Sequence, residues 1–105
     1  MQYPFNLDNH LVPEACSGMD DIRREIDHLD QTIVALIGRR AQYVMAAAKF
    51  KTSENAVRAP ERFAAMLLQL REWAIEEGLN PDVIEKLYSD LVQHFISEEM
   101  RRWQS

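Results

Sequence analysis

The chain has 105 residues, 47% hydrophobic and 28% charged, a composition that suits one globular domain and excludes disorder and fibrous repeats. Twelve Lys and Arg against seventeen Asp and Glu leave a formal net charge of -5, which argues against a nucleic-acid footprint across the surface; an anion site would have to be a local island of positive charge. The lone Cys16 cannot form an intramolecular disulfide, and neither a signal-like leader nor a run of about 18 apolar residues occurs, so the expectation is a cytoplasmic protein with no membrane partner.

Residues 1–16 read as an N-terminal arm, extended or mobile, because Pro4 and Pro13 interrupt a stretch with no helical period. Residues 17–105 read as a helical domain. Ser17 followed by Asp20 resembles a capping box, with Asp in place of Glu. Beyond it Ile22, Ile26, Leu29, Ile33 and Leu36 step by four and three, continuing through Val44 and Ala47. No proline falls between Pro13 and Pro60, so the spacing predicts a first helix from about Met19 to Lys51. Such a helix would be roughly 50 Å long at ~1.5 Å per residue, too long for a compact monomer of this size. Thr52 to Ala59 breaks the period and reads as a loop. Pro60 opens a second helix with the stripe Phe63, Met66, Leu67, Leu70 and Trp73 or Ala74. Gly78-Leu79 predicts a Schellman stop, and Asn80-Pro81-Asp82 the cap of a third helix from about Pro81 to Trp103. The fold class is therefore all-α, with three helices per chain and a very long first one.

Charges interrupt the apolar stripes. Continuing the first stripe from Leu36 lands on Arg40, and continuing Val44 and Ala47 lands on Lys51. A buried unpaired cation is costly, so both need an anion, a wet cleft or a helix end. Eleven residues separate them. That spacing predicts one helix face, roughly 16 Å apart along the axis, from which long side chains would converge on a small dianion. The alternative is that both snorkel outward or pair with nearby acids. Arg23, beside Ile22, reads on its own as a solvated residue. On the third helix, Tyr88, Val92, Phe95, Glu99 and Trp103 place a carboxylate on an otherwise apolar stripe. A salt bridge from Glu99 to Lys51 or Arg102, or a fraying terminus, is the alternative there.

Other chemistry is sparse. His10, His28 and His94 share no ligand-like spacing with one another or with Cys16, which disfavours a metal site, and there is no glycine-rich phosphate loop. The paired arginines lie on different helices among acids, and Trp73 and Trp103 read as core residues. Neither an activated nucleophile nor a triad is apparent.

An arginine early in a very long first helix (DIRREID), an arginine seventeen residues on (GRR) and a lysine eleven further (AAAKFK) resemble the all-helical chorismate mutases. CSGMDDIRREIDHLD, GRRAQYVMAAAKFK and APERFAAML are most similar to that superfamily's isochorismate pyruvate lyase branch, which serves salicylate and siderophore synthesis. The resemblance spans about Cys16 to Trp103. It implies an intertwined homodimer in which the long helices pair and each active site borrows Arg23 from the other subunit. Arg23 and Arg40 would bind the two carboxylates of isochorismate or chorismate. Lys51 would contact a carboxylate and the ether oxygen. Glu99 would stand where bacterial relatives usually have glutamine, and must be protonated to donate a hydrogen bond to that oxygen. Arg62 matches an arginine of the mutases, and Val57 and Ile96 fall among the implied substrate-binding residues. The segment Thr52 to Ala59 corresponds to one that closes over the ligand. The implied reactions are pericyclic and need no metal or cofactor.

Typical bacterial mutases carry an aspartate at the position of Ala59 and a glutamate at that of Phe63, the latter bonding the ring hydroxyl of chorismate. Phe63 accepts no hydrogen bond, and isochorismate carries its hydroxyl elsewhere on the ring. The expectation is therefore an isochorismate pyruvate lyase with weak mutase activity. The alternatives are a chorismate mutase proper and a non-catalytic helical dimer module; a helix-turn-helix DNA binder is disfavoured by net charge and helix length.

Overall fold

The computed structural model describes residues 11–104. Regular structure among them is entirely helical: α1 (Met19–Ala47), α2 (Glu54–Arg58), α3 (Pro60–Glu76) and α4 (Pro81–Gln104), with 3-10 turns at Pro13–Ala15 and Ala48–Phe50. The three long helices are those expected, and α2 is an addition. The backbone clusters into two compact units, Met1–Arg40 and Ala41–Ser105.

In the first unit the cap of α1 forms one residue later than expected. Ser17 donates its backbone N–H and its hydroxyl to the Asp21 carboxylate, at 2.9 and 2.8 Å, and the first helical bond runs from Ile22 to the Gly18 carbonyl. Counted from Gly18, Asp21 rather than Asp20 holds the third helical position, whose side chain reaches back over the helix start. The Ser17 backbone bond, followed by its hydroxyl bond, holds the Asp21 carboxyl below the ordinary range. Upstream, Pro13–Ala15 is a 3-10 turn where the arm was expected to be extended, because Pro13 presets the first turn and the Cys16 N–H reaches its carbonyl. The rest of the arm's expected course, residues 1–10, lies outside the described residues. Much of the apolar stripe of α1 faces solvent in the single chain, with Ile26 49% and Ile33 53% exposed. Glu25 is the one buried residue of that helix.

The second unit holds the core: Ala48, Val57, Leu70, Ala74, Val92 and Met100. It is built on the α3–α4 hairpin. The predicted Schellman turn forms, with Gly78 at φ 75, its N–H on the Ile75 carbonyl at 3.1 Å and the Leu79 N–H on the Ala74 carbonyl at 2.7 Å. Asn80 Oδ1 then accepts from the Asp82 N–H at 2.9 Å and starts α4. Across the turn Arg71 contacts Asp82 at 2.8 Å and Glu85 at 3.6 Å. Leu70 and Ala74 take the inward positions of α3 whereas Trp73 is half-exposed, so Ala74, not the tryptophan, continues that stripe. Removing one Leu70-sized side chain from water stabilises the fold by roughly 2 kcal/mol.

The stretch expected to be a loop contains α2. Ser53 Oγ accepts from the Ala56 N–H at 3.0 Å and caps it, and Arg58 pairs with Glu54 at 3.2 Å one turn earlier. Five residues hold too few apolar positions to show a period. Ala59 ends α2 in the left-handed region, at φ 39 and ψ 60, and its carbonyl accepts from the Phe63 N–H at 2.9 Å to begin α3 behind Pro60. An alanine in that conformation costs about 1 kcal/mol or more.

Candidate active site

The first helix does not continue to Lys51. It ends at Ala47, the chain tightens into the 3-10 turn Ala48–Phe50, and Lys51 is extended, with φ -89 and ψ 135. The eleven-residue register from Arg40 is thereby broken, and a shared helical face does not account for the orientation of Lys51. Local contacts do. The Lys51 N–H closes the turn on the Ala48 carbonyl at 3.2 Å, and its Nζ donates to the Ala56 carbonyl of α2 at 3.0 Å.

The same Nζ lies 3.5 Å from Glu99 Oε2. Of the readings open for Glu99, the bridge to Lys51 is the one realised, and its place within α4 excludes a frayed end. Glu99 is only 4% exposed, as expected for a carboxylate on the Val92–Trp103 stripe. The oxygen facing the ammonium makes the ion pair without hydrogen-bond geometry. Its capacity to accept a well-aligned bond is unused. An ammonium has three donors; one goes to Ala56 and one faces Glu99, which leaves a third direction for an anion.

Val57 follows Ala56 on α2 and is 2% exposed. Ile96, half-buried, sits one turn before Glu99 on α4. Lys51 also lines a groove of about 850 Å³ with Met45, Ala48, Lys49, Arg102 and Trp103, in which cations outnumber anions. Arg62 is exposed at the start of α3 and lines a depression with Asn55, Glu61 and Ala56, the residue whose carbonyl accepts from the Lys51 ammonium. Arg23, exposed, and Arg40, half-buried, lie on α1 within the first unit. The structure therefore brings Lys51 and Glu99 together.

Two contacts were not legible in the sequence. Trp103, which reads in the sequence as plain core, donates from Nε1 to the Lys51 carbonyl at 3.0 Å. Its spacing of four from Glu99 was the available signal. Glu25, buried on α1, accepts the Leu11 N–H at 2.5 Å and ties the arm to the helix. Nothing in its local pattern distinguished it from the other acids of that helix.

The family model for chorismate mutase type II matches residues 22–100. The chain is 46% identical over 92 residues to the isochorismate pyruvate lyase of Pseudomonas aeruginosa, covering 88% of this chain and 91% of that protein. It is 35% identical over 81 residues to the T-protein of Haemophilus influenzae, covering 76% of this chain and 20% of that protein. The matched span runs through most of α1, the Lys51 turn and α4 as far as Glu99 and Met100. With that span matched and the lyase covered almost from end to end, the chain belongs to the chorismate mutase type II family.

Proposed function

We propose that the protein is an isochorismate pyruvate lyase. The observation that carries this reading is the 46% identity across 91% of a protein of that name. In the reaction the ether bond of isochorismate breaks while the hydrogen on its hydroxyl-bearing ring carbon moves to the enolpyruvyl methylene. The ring aromatises to salicylate and the arm leaves as pyruvate, so atoms and electrons balance with no external acid, base or redox partner. Such a concerted step is accelerated by holding the arm folded over the ring and by presenting positive charge to the ether oxygen as it gains electron density. Lys51 supplies that charge through its remaining donor, which reaches the ether oxygen and a carboxylate. Glu99, beside Lys51, faces the same oxygen. Val57 and Ile96 are apolar walls for the ring, and the α2 segment covers the ligand.

Arg23 and Arg40 bind the two carboxylates, with Arg23 supplied by a second copy of the chain. They stand seventeen residues apart on α1. That is roughly 25 Å along the axis and about 100° around it, so one chain does not aim both at one small ligand. The exposed Ile26 and Ile33 favour the same conclusion, since an apolar stripe in water is stabilised when a partner helix covers it. Arg62 acts at the rim, steering the dianion. No helix among the described residues is long and apolar enough to cross a membrane; we read the protein as a cytoplasmic homodimer acting on a diffusible dianion.

Chorismate mutase is the second reading, favoured by the family match itself. The half-buried Phe63 weighs against it, because it offers no acceptor to the ring hydroxyl of chorismate. Incubation with each substrate decides between them. Salicylate and pyruvate from isochorismate, with prephenate formed much more slowly from chorismate, is the expected result. Faster prephenate formation would reverse the assignment, and no product from either would leave a non-catalytic dimer.

A further inference from the structure

Helix α4 holds Lys51 at both ends. Glu99 meets its ammonium at 3.5 Å, and Trp103, one turn further along the helix, donates its indole N–H to the Lys51 carbonyl at 3.0 Å. That indole bond spans 52 residues of chain. It falls at a residue that no regular element orients: Lys51 ends the 3-10 turn, is extended, and precedes the Ser53 cap of α2.

We propose that Trp103 is a positioning residue for Lys51, acting through the backbone carbonyl to set where the ammonium can reach. The proposal rests on the lyase reading, in which the Lys51 ammonium meets the ether oxygen in the transition state. A lysine side chain has several rotatable bonds, and its head can follow either Glu99 or a ligand. What limits its travel is the position of the main chain from which it hangs. The indole N–H is a donor only, and the ring is half-buried, so the bond and the packing of the ring together pin that carbonyl against α4. Misplacing a catalytic group by about 1 Å can cost as much as 100-fold in rate. A loosened Lys51 should therefore lower kcat more than it raises KM for isochorismate.

The test compares Trp103→Phe, and a protein with benzothienylalanine at position 103, with the wild type. Benzothienylalanine keeps the shape of the indole and lacks its N–H, so it decides the matter if the phenylalanine variant fails to fold. The expected result is a fall in kcat of about tenfold with KM changed less than about threefold. In a Lys51→Ala background, followed in single turnovers at high enzyme concentration, the same change at Trp103 should have no further effect. A merely structural role would lower the rate in both backgrounds. Acylation of lysines by a small reagent, resolved by mass spectrometry, reads the position of Lys51 without turnover. Lys51 should react several-fold faster once the N–H is gone, while Lys49 and Lys86 keep their rates. Wild-type kcat together with unchanged Lys51 labelling, or a rate loss that persists undiminished without Lys51, would overturn the proposal. If the wild type fails to turn over isochorismate, the lyase reading is lost, and the labelling alone then decides whether Trp103 positions Lys51.

Discussion

Lys51 Nζ stands 3.5 Å from Glu99 Oε2, the carboxylate being almost wholly buried and the ammonium a quarter exposed. The two partners are therefore unequal. Lys51→Ala leaves a buried carboxylate without its cation, an uncompensated charge that should destabilise the protein by about 3 kcal/mol. Glu99→Gln leaves a lysine whose head can turn to water, and should cost about 1 kcal/mol. Urea unfolding of the two variants would show the order; equal losses would mean that the ion pair does little for the fold.

The same pair separates roles in catalysis. If Lys51 acts as proposed on the breaking ether bond, Lys51→Ala should reduce kcat by several powers of ten; loss of uniform binding would instead raise KM alone. Glu99→Gln should give a rate nearly independent of pH from about 8 to about 5, since an amide donates throughout. A glutamine variant that loses activity at the alkaline end would show that Glu99 serves only to hold Lys51.

The proposed sharing of sites between subunits predicts complementation. Arg23→Ala and Arg40→Ala chains should each be nearly inactive alone. After subunit exchange half the dimers are mixed, and each mixed dimer has one site with both arginines, so about a quarter of the wild-type sites should return. No recovery when exchange is demonstrated by mass, or sedimentation as a monomer, would refute the intertwined arrangement.

The cap of α1 has its own pH signature. The Asp21 carboxyl is held below its ordinary range by the Ser17 backbone N–H first and the Ser17 hydroxyl second. A carboxyl depressed by folding contributes stability above its unfolded pKa and loses that contribution as pH falls through the folded value. The gap in Tm between wild type and Asp21→Ala should therefore be constant from neutral pH down to about 4 and close below it. A gap that survives in strong acid would assign the effect to packing.

Much of the fold was legible because its determinants are local. The stripes from Ile22 to Leu36 and from Tyr88 to Trp103, the glycine at Gly78 and the Asn80-Pro81-Asp82 cap each act within one or two turns, so sequence spacing alone reports them. The family was legible for a similar reason: three short motifs stand in fixed order along one chain. Tertiary structure decided what depends on groups distant in sequence. Lys51 looked like the next step of a helical register, yet the 3-10 turn breaks that register and α2 and α4 orient the side chain instead. α2 itself is too short to carry a period and exists by virtue of the Ser53 cap and the burial of Val57. Trp103 looked like a core residue because spacing reports which face a side chain occupies, and cannot report that its one donor finds a carbonyl 52 residues away. Periodicity is a property of a single element, whereas a site is the meeting of several, and the energies that decide the meeting belong to contacts that no local pattern encodes.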